Sequence, residues 1–333
     1  MTIIIAEAGV NHNGDMNLAK ELVEIASDAG ADIVKFQTFK AKNLVTIKAK
    51  KAGYQQKNVG GSSDQYSMLK TLELTYEQFE QLKEYCDQKN IEFLSTAFDL
   101  DSLDFLVSIG IKRIKIPSGE INNLPYLTMA SSYGLPIILS TGMSTLFEIK
   151  EALNIFLHQG LNKNQITIMH CTTEYPTPID SVNLLAMKTI TETIDIDVGY
   201  SDHTTNYEVP IAAVAIGAKV IEKHFTKSRK LQGPDHQASL EPTELIKMIS
   251  SIRNTEILLG SSEKKPTKVE LDNLAVARKS IVAKSNIKKG ELLSQENMTT
   301  KRPGSGLSPM AWNDLINTKA VKDFQKDELI IKK

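Results

Sequence analysis

Two cysteines in 333 residues, Cys86 and Cys171, are too few and too far apart for a disulfide framework or a thiolate metal site. They are expected as reduced thiols in a cytoplasmic protein. No apolar run approaches the length that crosses a bilayer, so no membrane partner is expected. The run at residues 3–6, followed at once by Glu7, is too short for the core of a signal peptide. Charge of one sign is also missing: the formal net charge is -1, but it is unevenly spread. From Ser261 onward 15 Lys and Arg face 9 Asp and Glu, whereas in the rest 24 face 31. The basic tail interleaves its acids too evenly for a nucleic-acid arm, although it could supply cations to an anionic substrate. No Gly-x-Gly-x-x-Gly follows the first apolar run, which argues against an open dinucleotide-binding sheet. The His-x-His of a metal-dependent barrel hydrolase is absent there too; the sequence reads Asn11-His12-Asn13.

What is present is a chain 41% hydrophobic, long enough for one large domain and a small one. Its first two-thirds alternates short apolar runs with longer amphipathic ones. Residues 3–6, 33–36, 93–94, 111–116, 137–139, 166–169, 195–199 and 219–221 read as strands. Residues 17–29, 76–89, 102–109, 124–133, 146–157, 182–193, 209–217 and 243–259 read as helices. Eight βα units are the count of a TIM barrel, and Gly30 and Gly110 stand where helices should stop. Residues 42–73 form the longest connection, with Tyr54, Gln55, Asn58, Gly60, Gly61 and Tyr66, and read as a lid or binding loop. Residues 261–276 read as linker. The remainder, short runs broken by Gly290, Pro303, Gly304 and Gly306, reads as a small module that gains stability by docking on something such as a second subunit. The expected division is therefore 1–262, 263–276 and 277–333.

In a parallel barrel, ligands sit at the carboxyl ends of the strands. The residues expected there are Glu7, Lys35, Gln37, Thr96, Lys115, Ser118, Glu120, Ser140 and Tyr175, then Ser201, His203, Glu222, His224 and Asp235. The lysines and hydroxyls suit a phosphate and a carboxylate. Two imidazoles from neighbouring strand ends, with Glu222 and Asp235 on the same rim, suit a divalent cation. Each residue alone could be no more than a cap or a hydrogen-bonded polar group. Five of the six histidines fall at strand ends, with only His158 in a helix, and a bland surface would not segregate them so.

The segments AEAGVNHNGD, VKFQTFKA, FLSTAFD, KIPSGEINNLPYL, ILSTGM, HCTTEYPTP, GYSDHT, VIEKHFT, GPDHQASLEP, RKSIVAKSNIKKGE and KRPGSGLSP resemble the sialic acid synthase family. The resemblance covers nearly the whole chain. It is closest in look to the legionaminic acid branch at AEAGVNHNGD and DVGYSDHT. One departure is Ala97, where the family usually has proline; a looser turn beside Thr96 is expected.

The resemblance implies a TIM (β/α)8 barrel followed by an antifreeze-like (SAF) domain, in a domain-swapped homodimer. It implies condensation of phosphoenolpyruvate with an N-acetylated mannose-type sugar, with release of phosphate and use of a divalent ion, Mn2+ or alternatively Mg2+ or Co2+. His203 and His224 would hold the metal. Lys35, Thr96, Lys115, Ser118, Ser140 and Ser201 would bind phosphoenolpyruvate. Gln37, Asn58, Tyr175, Asp235 and Glu222 would address the sugar or its reacting end, with Glu7 and Glu120 close to the chemistry. Arg302 would hold the N-acetyl group. N-acetylneuraminic acid synthesis from N-acetylmannosamine is the alternative within the family. A metal-dependent barrel hydrolase and a non-catalytic sugar-binding protein are the alternatives outside it.

Overall fold

The computed structural model describes residues 1–47, 49–59 and 64–332; Gly60, Gly61 and the side chain of Tyr54 lie outside the described residues. Strand β1 (Ile3–Gly9) leads to helix α1 (Met16–Asp28). Strand β2 (Ile33–Thr38) leads to three short helices, α2 (Ala41–Leu44), α3 (Gly53–Val59) and α4 (Gln65–Leu72), then to α5 (Tyr76–Gln88). Next come β3 (Glu92–Ala97) with α6 (Leu100–Ser108), β4 (Ile114–Ile116) with α7 (Leu124–Ser132), and β5 (Ile137–Ser140) with α8 (Leu146–His158). The unit is completed by β6 (Ile166–Cys171) with α9 (Leu185–Ile194), β7 (Asp197–Asp202) with α10 (Glu208–Ala215), and β8 (Val220–His224) with α11 (Pro242–Leu259). The eight parallel strands close into a barrel, β1 pairing with both β2 and β8. This is the TIM barrel expected from the alternation.

Local signals start the helices. Thr75 with Gln78, and Thr145 with Glu148, form reciprocal capping boxes at α5 and α8. Helices α1, α5 and α8 each then bury one stripe. Leu22, Val23 and Ala26 of α1 lie in the same buried cluster as Ile4, Ala6 and Val34 from the outer faces of β1 and β2.

Side chains alternate along a strand, so the intervening residues face the barrel axis. Ile5, Ile33, Leu94, Ile138, Met169 and Val220 meet there as an apolar plug. Strand β7 contributes Gly199, where a β-carbon would come within 2.3 Å of the Met169 sulfur and 2.5 Å of the Val220 carbonyl oxygen. Two residues beyond each plug residue the strands carry Glu7, Lys35, Thr96, Ser140, Cys171 and Glu222, all buried. A polar layer therefore rests directly on an apolar one.

Three segments differ from the sequence reading. Residues 42–73 are not one loop: α2, α3 and α4 occupy much of them, and α4 is capped by Asp64. Ala97 is in strand β3, not in a turn, and its carbonyl accepts a 2.9 Å bond from the Tyr126 hydroxyl. The stretch read as linker contains a helix, α12 (Lys268–Ala277), started by a Thr267–Glu270 capping box and burying no side chain. Caps and backbone propensity form it without an apolar face, so hydrophobic periodicity could not reveal it.

The chain separates into two compact units, Met1–Gly260 and Ser261–Lys333. The second has an antiparallel pair, β9 (Ser280–Ala283) with β10 (Met298–Lys301), and a short helix α13 (Trp312–Leu315). Its own core includes Ile281, Met298, Leu315, Phe324 and Ile330.

Candidate active site

The carboxyl ends of the barrel strands surround a cavity of about 310 Å³. Register brings the polar residues level: Glu7 lies opposite both Lys35 and His224, Thr96 opposite both Gln37 and Lys115, and Ser201 opposite both Cys171 and Glu222. Of the site residues expected from the sequence, all but Asn58, Glu120 and Arg302 line this one cavity. Asn58 is next to it, donating a 2.7 Å bond to the carbonyl of Pro234. Glu120 ends a short helical turn after β4, its carboxylate accepts from Asn123, and it is not among the residues lining the cavity. Arg302 belongs to the second unit, where its exposed guanidinium donates through Nε to the Ala277 carbonyl.

Two lysines dominate the floor. Lys35 Nζ donates to Thr96 Oγ1 at 2.9 Å and pairs with Glu7 Oε2 at 2.8 Å. Lys115 Nζ donates to Ser140 Oγ at 2.7 Å. Glu222 Oε2 lies 3.7 Å from both ammonium groups, and its Oε1 accepts from Ser201 Oγ at 3.0 Å. The two carboxyls are pushed apart. Burial raises Glu7 well above the usual carboxylate range, more than Lys35 lowers it. Burial also acts on Glu222, but Lys115 and Lys35 outweigh it and hold this carboxyl low. Lys35 is raised: Glu222 and Glu7 outweigh its burial. Lys115 is lowered by burial. Two cations whose hydroxyl partners are already in place make a preorganised anion site.

His203, just after β7, and His224, at the end of β8, have ring centroids 5.6 Å apart. Burial lowers His203 to about 4, and burial with the neighbouring His203 lowers His224 well below its usual value, so both rings are neutral at pH 7. The His203 Nδ1 lies 2.6 Å from the Thr172 carbonyl, which can only accept, so the proton is on Nδ1 and Nε2 keeps a lone pair. That is the arrangement by which a backbone carbonyl orients a metal-binding imidazole. Among the described residues, the buried His224 Nδ1 has no hydrogen-bond partner. The Tyr175 ring packs on His203 at 4.0 Å and meets His224 edge-on at 5.7 Å.

Neutral imidazoles of this kind fit a divalent ion. The carboxylates expected beside them do not complete a cluster: among the described residues no three His, Cys, Asp or Glu side chains are grouped to hold a metal. Glu222 is instead the counter-ion of the lysines. His236, the third histidine of the same sequence stretch, is spent elsewhere, with Nδ1 2.8 Å from Thr226 Oγ1 and Nε2 3.3 Å from Asn13 Oδ1.

Two features of the cavity were given no role from the sequence. Cys171 lines the cavity with its sulfur 3.3 Å from Ser118 Oγ, and Ser118 also accepts from the Gly142 amide at 2.9 Å. The only signal was Cys171's place after the sixth apolar run. The other feature is an apolar wall drawn from β2–α5, which the long-connection reading hid. A second cavity, about 630 Å³, opens beside the first under the loops after β5 and β6. Among its described lining residues there is no lysine, arginine or carboxylate, and its one imidazole, His170, donates to the Val182 carbonyl. The charged machinery belongs to the first cavity.

Residues 22–264 match the NeuB family and residues 278–333 match the SAF domain. The chain is 52% identical to N,N'-diacetyllegionaminic acid synthase of Campylobacter jejuni, over 99% of this chain and 98% of that protein. It is 48% identical to the synthase of the same name from Legionella pneumophila, over 95% of this chain and 89% of that one. Among solved structures it resembles an N-acetylneuraminic acid synthetase from Leptospira borgpetersenii in complex with citrate. There the TM-score is 0.73 at 35% identity, covering 82% of this chain and 90% of that one.

Proposed function

The chain belongs to the NeuB family and ends in a SAF domain, and on that premise we propose that it is an N,N'-diacetyllegionaminic acid synthase. It condenses phosphoenolpyruvate with 2,4-diacetamido-2,4,6-trideoxymannose and releases phosphate. The paired-lysine anion site carries this reading, in a chain 52% identical to a synthase of that name.

C3 of phosphoenolpyruvate attacks the aldehyde carbon of the open-chain sugar, forming the new carbon–carbon bond. The aldehyde oxygen gains a proton and C2 becomes cationic. Water adds to C2 and loses a proton. The hemiketal phosphate then expels inorganic phosphate and leaves the 2-keto acid. Lys35 and Lys115, oriented by Thr96 and Ser140, hold the phosphate and carboxylate and stabilise the departing phosphate. Ser118 adds a hydroxyl, and Ser201, which donates to Glu222, borders the same anion site. Glu7, which keeps its proton to higher pH, suits delivery to the aldehyde oxygen, and the ionised Glu222 suits stabilisation of the positive charge at C2. Gln37, Asn58, Tyr175 and Asp235 address the sugar.

His203 and His224 would hold a divalent ion, Mn2+ in the first instance, whose chemistry is to polarise a carbonyl and stabilise charge on its oxygen. Arg302 of a second copy of the chain is assigned to the sugar's N-acetyl group, in a domain-swapped homodimer. The exposure of its guanidinium and the basic balance of the second unit support that assignment. The test is phosphate release from phosphoenolpyruvate with and without the sugar, and with and without Mn2+. Release independent of sugar would overturn the synthase. Full activity in excess chelator would overturn the metal.

A further inference from the structure

The cavity has two unlike halves. One is the charged floor. The other is an apolar wall from a buried cluster separate from the barrel core, built on Phe39, Met68, Leu69 and Leu72, with Val45 and Phe98 packed against it. Phe39 and Phe98 meet edge to face, ring centroids 6.4 Å apart. Nearly all of it comes from the segment between β2 and α5, so the chain spends a long insertion on an apolar surface at the mouth of a polar site.

Phosphoenolpyruvate, two anionic groups on a three-carbon frame, has no use for such a surface. The acceptor must place its aldehyde end at the charged floor, so its far end, C4 to C6, is what remains to meet the wall. We propose that this wall is the acceptor-specificity surface: it receives the C6 methyl and the methyl of the 4-acetamido group of a 2,4-diacetamido-6-deoxy hexose. This rests on the condensation proposed above. Burying two methyl groups there is favourable. The 4-hydroxyl and 6-hydroxymethyl of N-acetylmannosamine would instead lose water against side chains that offer no hydrogen bond, and an unmatched polar group discriminates more strongly than a missing methyl.

Val45→Thr and Met68→Gln place polar atoms on the wall with little change of volume, and Met68→Leu serves as the apolar control. The experiment compares kcat/KM for 2,4-diacetamido-2,4,6-trideoxymannose and N-acetylmannosamine with phosphoenolpyruvate in excess. The expected result is at least a tenfold fall in the ratio of the two values for each polar variant, through the KM of the diacetamido sugar. The KM of phosphoenolpyruvate should stay unchanged, and Met68→Leu should keep the preference. A parallel fall for both sugars, or an unchanged ratio, overturns the proposal.

Saturation-transfer NMR of the diacetamido sugar on the unaltered protein reads the contact without turnover. Transfer should be strongest to the C6 and 4-acetyl methyl protons, and strongest transfer to the 2-acetyl methyl overturns the assignment. Failure of the unaltered protein to turn over either sugar would count against the condensation itself, while the NMR contacts still decide the wall.

Discussion

The two layers inside the barrel are made by the same strands, one residue pair apart, and have opposite chemistry. Ile5, Ile33, Leu94, Ile138, Met169 and Val220 close the lower layer with carbon. Glu7, Lys35, Lys115 and Glu222 fill the upper one with charge, each at most 4% exposed. Buried charge costs stability unless it is paired, and even then it rarely adds any. The lower layer gains transfer free energy from every methyl group it buries. One layer holds the barrel closed; the other uses that rigidity to keep two ammonium groups and two imidazoles fixed before any substrate arrives.

That contrast predicts which layer each substitution reports on. Lys115→Met should lower kcat/KM for phosphoenolpyruvate by about 10²–10³-fold, the size seen when one preorganised electrostatic donor is lost. A loss below tenfold would move the anion site elsewhere.

Ile138→Ala, in the layer beneath, should cost about 2–5 kcal/mol of stability. The KM for phosphoenolpyruvate should change by no more than severalfold. Urea unfolding and steady-state kinetics on the same preparation check both halves, and a kinetic loss matching that of Lys115→Met would erase the distinction between layers.

Asp235 extends the upper layer's cost to its rim. Burial raises its carboxyl to about 6. That is above its unfolded value near 4, so the native state binds the proton more tightly. The stability it contributes is complete below about pH 4 and is lost as pH climbs through about 6. Asp235→Asn escapes that loss and should be more stable than the parent by about 2–3 kcal/mol at pH 8, with the advantage gone at pH 4. An equal gap in unfolding free energy at both pH values would refute it. Asp235→Asn should lose sugar affinity as well, since functional sites trade stability for activity.

The smallest effect is expected at Glu120. It is outside the cavity lining and bonded to Asn123. Glu120→Gln should lower kcat less than tenfold, about 1.4 kcal/mol in the barrier. A fall as large as that of Lys115→Met would place a working carboxylate at the edge of the cavity.

The eight βα units were legible because a buried strand followed by an amphipathic helix leaves a local pattern, and eight such patterns admit few closed arrangements. Lys35 and Lys115 were legible as charges set within apolar runs, and His203 and His224 as residues just after them, because strand ends gather at one face of a barrel. The motifs that resemble the sialic acid synthase family carried the reaction class. Helix α12 was not legible, having capping residues but no buried stripe. The apolar wall was not legible either, because Phe39 after β2, Met68 and Leu72 of α4, and Phe98 after β3 meet only when folded.

Partnership was settled by three-dimensional closure alone. Glu222 stands two residues before His224, and in sequence it looks like a further metal ligand. Closing the barrel brings it instead within 3.7 Å of lysines from β2 and β4, distant in sequence, and their charge holds it ionised. Glu7 is the same residue type, at the same height in the barrel, and burial drives it the other way. Residue type and strand position are local and can be read along the chain. The electrostatic environment that tells one carboxyl from the other is a sum over groups that only the closed barrel assembles.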